Sequence, residues 1–161
     1  MSRSHETRCC ALQAMVQVDL GGVAEFEQLR GFFEARAQEA RDPAQPNEHE
    51  CDFSVGAVEQ GLVWAAAAWR VHDEADAAVL ALAPEWPTHR QPSIDRNILR
   101  LAYWELRHGG VPMALAIDEA VELAKAYGTD RSPAFINAVL DAIAKGGAVA
   151  AVASDPEAPL P

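Results

Sequence analysis

The residues that could do chemistry in this 161-residue chain are few and widely spaced. No two of the five histidines have the spacing of a helical zinc site, and no Cys-x-x-Cys pair occurs. Residues 49–52, which read His-Glu-Cys-Asp, could bind a metal, but an unpaired cluster of this kind is more often a solvated loop. Gly-x-Ser-x-Gly and the common phosphate-binding glycine loops are also absent. We therefore expect no catalytic centre, no metal and no cofactor.

Three acidic residues, Asp118, Glu119 and Glu122, share part of one predicted helix. A carboxylate pair for acid–base catalysis is one interpretation. The simpler one is a charged helix face, in which Glu122 pairs with Lys125 three residues later.

The three cysteines, Cys9, Cys10 and Cys51, form no even framework, which indicates reduced thiols in the cytoplasm. A reactive thiol at a helix start is one interpretation of Cys9 and Cys10, and a small buried hydrophobe is the other for Cys10. No secretory signal is visible, and no apolar stretch reaches the roughly 20 residues that span a bilayer. We expect a cytoplasmic protein without a membrane segment.

The net charge of −11 argues against a protein that binds nucleic acid without help, because phosphate contacts need a basic surface. Most of the acid lies in residues 20–92, which hold five Lys/Arg against thirteen Asp/Glu, a net of −8. Residues 93–145 hold six against seven, a net of −1. A local basic patch outside the middle of the chain therefore remains compatible with the composition.

Hydrophobic periodicity predicts an all-α protein with about seven helices. They span residues 6–18, 23–41, 53–68, 70–83, 94–108, 112–128 and 132–145. Ser93 and Ser132 are predicted N-caps, and Pro112 is predicted in a first turn. Gly56 and Gly61 would allow close approach of two helices, and Leu115 is assigned to a buried face. We expect one domain over residues 1–145, with subdomains of about 1–83 and 84–145, a loop over 41–52 and a disordered tail over 146–161.

The stretch from residue 82 to residue 145 resembles the C-terminal half of the NusB transcription antitermination family. Its most extended matching pieces are Ser93-Ile94-Asp95-Arg96, Ile98-Leu99-Arg100-Leu101-Ala102, Glu105-Leu106, Ala116-Ile117-Asp118-Glu119-Ala120-Val121-Glu122-Leu123-Ala124-Lys125, Tyr127-Gly128 and Phe135-Ile136-Asn137-Ala138-Val139-Leu140-Asp141. A shorter match near the N-terminus joins Arg8 to Ala11-Leu12-Gln13-Ala14.

The resemblance implies an all-helical protein built as two packed three-helix-like bundles. It implies a non-enzymatic antitermination factor that binds the boxA element of ribosomal RNA leaders as single-stranded RNA. The implied protein partner is NusE, a small-subunit ribosomal protein, within a complex that also contains other Nus factors and RNA polymerase. Such a protein would help RNA polymerase resist premature termination.

The RNA-binding candidates, on this resemblance, lie at the first and last helices. They are Arg3, Arg8, Gln13, Tyr127, Arg131, Ser132 and Phe135. Aromatic rings can stack on bases, whereas Arg and helix N-termini can contact phosphates. A second set, assigned to structural or partner contacts, comprises Asp95, Arg96, Arg100, Glu105 and Asn137.

Two departures from the family pattern bear on this interpretation. Only Arg3 and Arg8 stand where the family carries an N-terminal run of arginines, and Ala138 replaces the usual glycine. One alternative is a protein-interaction module of the same fold with weak or lost RNA binding. Another is the accessory domain of a ribosomal RNA cytosine methyltransferase, and a third is a metal-dependent enzyme.

Overall fold

Every element of the described chain is helical. The structure, a computed structural model, describes residues 3–39 and 53–146. Its α-helices are α1 (Arg3–Asp19), α2 (Arg30–Glu39), α3 (Val55–Arg70), α4 (His72–Leu82), α5 (Ser93–Arg107), α6 (Met113–Tyr127) and α7 (Ser132–Ala144). Short 3₁₀ helices, Phe26–Leu29 and Thr88–Arg90, precede α2 and α5. No strand occurs in these two ranges, so the all-α prediction is confirmed. The predicted loop 41–52 and nearly all of the predicted tail lie outside the described residues.

The seven predicted helices correspond to the seven α-helices of the described residues. The starts of α5, α6 and α7 agree within one residue, whereas α1 begins three residues earlier than predicted, α2 seven residues later, and α3 and α4 two residues later. Ser93 and Ser132, predicted as N-caps, are the first helical residues, and neither helix start carries a side-chain cap bond. Pro112, predicted inside a first turn, immediately precedes α6. Pro92 and Pro112 both have extended backbone, with ψ of 146° and 137°. Proline fixes φ near its helical value, so a helix can begin directly after it.

The described helices belong to two compact units, and the division falls within α3, between Ala67 and Ala68. Unit 1 therefore contains α1, α2 and most of α3, whereas unit 2 contains α4 to α7. The sequence places its subdomain boundary later, near residue 83, at a proline-rich connection. Helix α4 falls in unit 2 because it packs against α5 and α7 and buries Ala75, Val79 and Leu82.

Unit 1 is built around α1, which buries a continuous apolar segment. Its fully buried apolar residues are Cys9, Cys10, Ala11, Leu12, Ala14 and Met15. Helix α3 comes so close to α1 that a Cβ at Gly61 would lie 2.8 Å from the Cys10 Cβ. The predicted close approach at this glycine is thus observed. Ser54 starts α3 by accepting a hydrogen bond from the Ala57 N–H at its Oγ (3.2 Å).

Unit 2 has its core between α5, α6 and α7, which all pack against one another. The buried apolar side chains of α6 and α7 are Ala116, Ile117, Ala120, Leu123, Ala124, Ile136, Val139, Leu140, Ala142 and Ile143. The assignment of Leu115 to the buried face of α6 is wrong, since its side chain is 44% exposed. Residue 115 lies one position before Ala116, which is about 100° around the helix, and Ala116 and Ile117 occupy the core side instead.

Candidate nucleic-acid interface

The turn between α6 and α7 carries three predicted RNA-binding residues with accessible side chains. Tyr127 is the last residue of α6 and is half-buried. Arg131 directly precedes α7 and is exposed, and Phe135 is half-buried in the first turn of α7. Two aromatic rings and a guanidinium group therefore lie on one short segment of unit 2. This combination suits stacking on unpaired bases together with a phosphate contact.

The same turn is closed by a compact set of hydrogen bonds. The Ser132 Oγ accepts a hydrogen bond from the Thr129 N–H (2.9 Å) and lies 3.1 Å from the Thr129 Oγ1. The Ser132 N–H donates in turn to the Thr129 carbonyl (3.1 Å). Gly128 completes the closure, because a Cβ there would lie only 2.7 Å from the Ser132 Cβ and from the Ala124 carbonyl oxygen. The backbone at this end of α6 and α7 is thus held tightly together.

Asp95, in the first turn of α5, holds this turn from inside unit 2. The Ser132 Oγ donates a hydrogen bond to the Asp95 Oδ2 (3.0 Å), which joins α7 to α5 through two residues that are 37 positions apart in the chain. Asp95 is 1% exposed, and its other oxygen, Oδ1, is buried without a hydrogen-bond partner in the described structure. Burial raises the pKa of the Asp95 carboxyl, and the hydrogen bond from Ser132 opposes that rise.

Ser132 is itself 2% exposed, so its side chain faces the interior of unit 2 rather than solvent. A phosphate contact by this hydroxyl would require the turn to open. The role that the sequence assigns to it at an RNA surface stays a prediction, and the observed role is to close the turn.

The N-terminal candidates lie on α1 of unit 1, in different environments. Arg3 is exposed, and its guanidinium occupies the space that a Cβ at Gly56 would need. Arg8 is 1% exposed, donates hydrogen bonds to the Ser4 carbonyl and hydroxyl oxygens, and lies 5.3 Å from the centre of the Trp64 ring. Contact between the buried Arg8 side chain and RNA therefore also stays a prediction.

Gln13, the third candidate on α1, is partly exposed and already engaged within unit 1. Its Oε1 accepts a hydrogen bond from the Arg36 Nη1 of α2 (3.2 Å). The side chain thus links α1 to α2, and its contact with RNA stays a prediction.

The structural candidates on α5 include one strong ion pair. The Arg100 Nε and Nη2 donate to the two carboxylate oxygens of Asp76 on α4, both at 2.8 Å. The Arg100 Nη1 donates to the Asn97 Oδ1 (3.1 Å), and the guanidinium lies 5.2 Å from the centre of the Trp69 ring. Arg100 is 5% exposed, so this pair fixes α5 to α4 from a largely buried position.

The remaining structural candidates occupy three kinds of position. The Arg96 Nη1 donates to the Gln91 carbonyl (3.2 Å), which holds the connection that precedes α5. Glu105 is 1% exposed, whereas Asn137 is exposed on α7. A partner contact by Asn137 is therefore sterically open.

The structure also answers the alternatives that the sequence leaves for acids and thiols. The Lys125 Nζ donates to the Glu122 Oε1 (3.0 Å), as expected for a charged helix face. Cys9 and Cys10 are fully buried, and burial raises the pKa of Cys10 to about 12, which matches the small buried hydrophobe.

Across residues 3–39 and 53–146, no group of three or more potential ligands could hold a metal ion. The predicted loop ligands at 49–52 lie outside these ranges.

None of the described helices combines the length and apolar character needed to cross a lipid bilayer.

Fold and site together define an all-helical protein of two small units, with a polar and aromatic turn at the start of its last helix. The family model described as "NusB family" matches residues 5–145. The chain belongs to the NusB family.

Relatives support this membership over most of the chain. The transcription antitermination protein NusB of Anaeromyxobacter dehalogenans (strain 2CP-1 / ATCC BAA-258) is 37% identical over 145 residues, which cover 90% of this chain and 92% of the relative. The protein of the same name from Thermoanaerobacter sp. (strain X514) is 30% identical over 140 residues, covering 87% and 89%.

Solved structures show the same fold. NusB of T. maritima superposes with a TM-score of 0.68 at 28% identity and covers 91% of this chain and 92% of its own. A chain in the crystal structure of a plectonemic RNA supercoil superposes with a TM-score of 0.70 at 24% identity, covering 90% and 96%.

Proposed function

We propose that this chain is a non-enzymatic transcription antitermination factor of the cytoplasm, which binds boxA-type single-stranded RNA of ribosomal RNA leaders together with the ribosomal protein NusE. The observation that carries the proposal is membership of the NusB family over residues 5–145, since the curated relatives named above are transcription antitermination proteins. Other Nus factors and RNA polymerase would complete the assembly.

The accessible residues of the α6–α7 turn support RNA contact at this position. An exposed Arg131 can neutralise a phosphate, while the rings of Tyr127 and Phe135 can stack on bases. Base–aromatic stacking contributes about 1–3 kcal/mol per base, so two rings are enough for a measurable interaction. Arg3, exposed on α1 of unit 1, is a separate candidate for contact with the RNA backbone.

The charge of the chain explains why a protein partner would be needed. A net charge of −11 repels RNA at long range, and a basic partner would both neutralise part of it and supply phosphate contacts. The acidic residues 20–92, with a net charge of −8, would speed encounter with such a partner.

The burial of Arg8 favours a second candidate function, a protein-interaction module that binds RNA weakly or not at all. Of the two arginines of the N-terminal segment, only Arg3 is exposed. On this alternative the chain would keep its ribosomal-protein contact, and the partner would make the RNA contacts.

A salt titration separates the two functions. The affinity for boxA-type RNA is measured for the chain alone, for NusE alone and for the purified pair, between low and physiological salt. The proposed function predicts that the pair binds more tightly than NusE alone and with a steeper salt dependence. Equal affinity and slope for the pair and for NusE alone would favour the interaction module. Absence of any association between the two proteins at low salt would remove both.

A further inference from the structure

The closed turn between α6 and α7 depends on a buried residue that is far from it in the chain. The hydroxyl group of Ser132 accepts from the Thr129 N–H and donates to the Asp95 Oδ2, so one side chain connects the turn to the first turn of α5. Arg131 precedes this serine directly and is exposed. Any change in the Ser132 position would therefore also move the exposed guanidinium.

Burying the Asp95 carboxylate so that it can bind Ser132 costs free energy. Its carboxylate is 1% exposed, and the Oδ1 is buried without a hydrogen-bond partner in the described structure. Removing a carboxylate oxygen from water without a compensating bond costs free energy. An apolar residue at position 95 would avoid this cost, but it would leave the Ser132 hydroxyl without its acceptor.

Asp95 also carries the wrong charge for a direct role at an RNA surface. A carboxylate this close to the start of α7 opposes the approach of phosphate, and it competes for the positive end of the helix dipole. If only electrostatics mattered, removal of Asp95 would strengthen RNA binding. Its benefit must therefore lie in the geometry that it imposes on the turn.

We infer that Asp95 is a positioning residue for RNA binding: through Ser132 it fixes the α6–α7 turn so that Arg131 and the flanking rings of Tyr127 and Phe135 face the RNA together. This inference rests on the proposed function, because it needs RNA to bind at the turn. Asp95 itself touches no RNA, and its effect passes through one hydrogen bond of 3.0 Å.

The test compares five variants of the full chain in complex with NusE, with boxA-type RNA as the probe. Asp95→Ala and Ser132→Ala each remove one end of the hydrogen bond, and the double variant removes both. Asp95→Asn is the conservative variant, since its Oδ1 can still accept from the Ser132 hydroxyl. Asp141→Ala, which removes an exposed carboxylate paired with Lys145 at the other end of α7, is the matched control for loss of negative charge.

We expect Asp95→Ala and Ser132→Ala each to weaken RNA binding by about fivefold or more, because each removes one intramolecular hydrogen bond. The double variant should be no weaker than the worse single variant, because both changes break the same contact. Asp95→Asn should stay within about twofold of the natural chain. Asp141→Ala should leave binding unchanged or slightly tighter.

A second measurement reports on the turn without RNA. The Thr129 N–H donates to the Ser132 Oγ, so its hydrogen exchange should accelerate by about threefold or more in Asp95→Ala and should stay unchanged in Asp95→Asn. Tighter RNA binding by Asp95→Ala would overturn the inference and show that the charge acts by repulsion alone. Unchanged RNA binding with unchanged Thr129 exchange would overturn it too. If the natural complex binds no RNA, the proposed function fails instead, and the exchange data alone show whether Asp95 holds the turn.

Discussion

Arg100 of α5 donates two parallel hydrogen bonds, both 2.8 Å long, to the carboxylate of Asp76 on α4. The arginine side chain is 6% exposed and the aspartate side chain 23% exposed, so the pair is largely shielded from solvent. The two-point geometry fixes the direction as well as the distance between the helices.

Removal of Asp76 should therefore destabilise unit 2. Asp76→Ala leaves the Arg100 guanidinium largely buried without its carboxylate, and we expect a loss of about 1.5–3 kcal/mol in the free energy of unfolding. Urea unfolding followed by circular dichroism measures it. Asp118→Ala, at an exposed position of α6, is the control and should cost under about 0.5 kcal/mol. Equal effects of the two substitutions on the free energy of unfolding would mean that the ion pair does not contribute to stability.

Truncation of a buried side chain of unit 2 should lower the free energy of unfolding much more than truncation of Leu115, which the sequence wrongly assigns to the buried face. Leu140 is fully buried on α7, so Leu140→Ala should cost about 2–5 kcal/mol through lost packing and a residual cavity. Leu115→Ala removes the same atoms from a 44% exposed side chain and should cost under about 1 kcal/mol. Comparable losses from these two variants in urea unfolding would contradict the orientation of α6.

The stability of the chain should carry a pH-dependent contribution from Asp95. Burial raises its pKa in the folded state above the ordinary value of 3.8, so the folded protein binds this proton more tightly than the unfolded chain does. The carboxyl group therefore favours folding below its ordinary pKa, and this contribution is lost as the pH rises through the raised pKa.

Asp95→Asn removes that titration. Its free energy of unfolding, relative to that of the natural chain, should increase as the pH is raised from below 3.8 through the raised pKa, and should then level off. Urea unfolding of both proteins across this pH range measures the difference. A difference that falls with rising pH would mean that the folded state lowers the pKa of Asp95.

Cys9 and Cys10 should resist thiol reagents while the protein is folded. Both side chains are fully buried, and with its pKa raised to about 12 Cys10 has almost no thiolate near pH 8. Mass spectrometry after brief treatment with a maleimide should find both unmodified, and modification should follow on addition of urea. Rapid labelling of Cys10 in the folded chain would revive its interpretation as a reactive thiol.

The sequence predicts the last three helices well because their signals are local. Period, prolines and glycines mark the ends of α5, α6 and α7 within about one residue. The family resemblance, which rests on residues 82–145, is confirmed over residues 5–145. Leu115 shows where local reasoning fails, because an apolar residue beside a core stripe need not lie in it.

The candidate site is harder to predict because its contacts are distant in the chain. Ser132 has the sequence features of a helix cap, and only the fold shows that it meets Asp95, 37 residues earlier. Asp76 was missed, since within an acidic stretch it has the appearance of a solvated charge. The signal that could have found it is Arg100, because a cation in the middle of an apolar helix needs a carboxylate partner.

The most direct test of the central claim is the affinity of the chain in complex with NusE for boxA-type RNA, measured as a function of salt for the natural chain and for Arg131→Glu. The natural complex should bind more tightly than either protein alone. Arg131→Glu should weaken binding by about tenfold and flatten the salt dependence, because one phosphate contact is replaced by a repulsion. Circular dichroism and association with NusE must match those of the natural complex. Identical affinity and salt slope for the two complexes would contradict RNA binding at the α6–α7 turn.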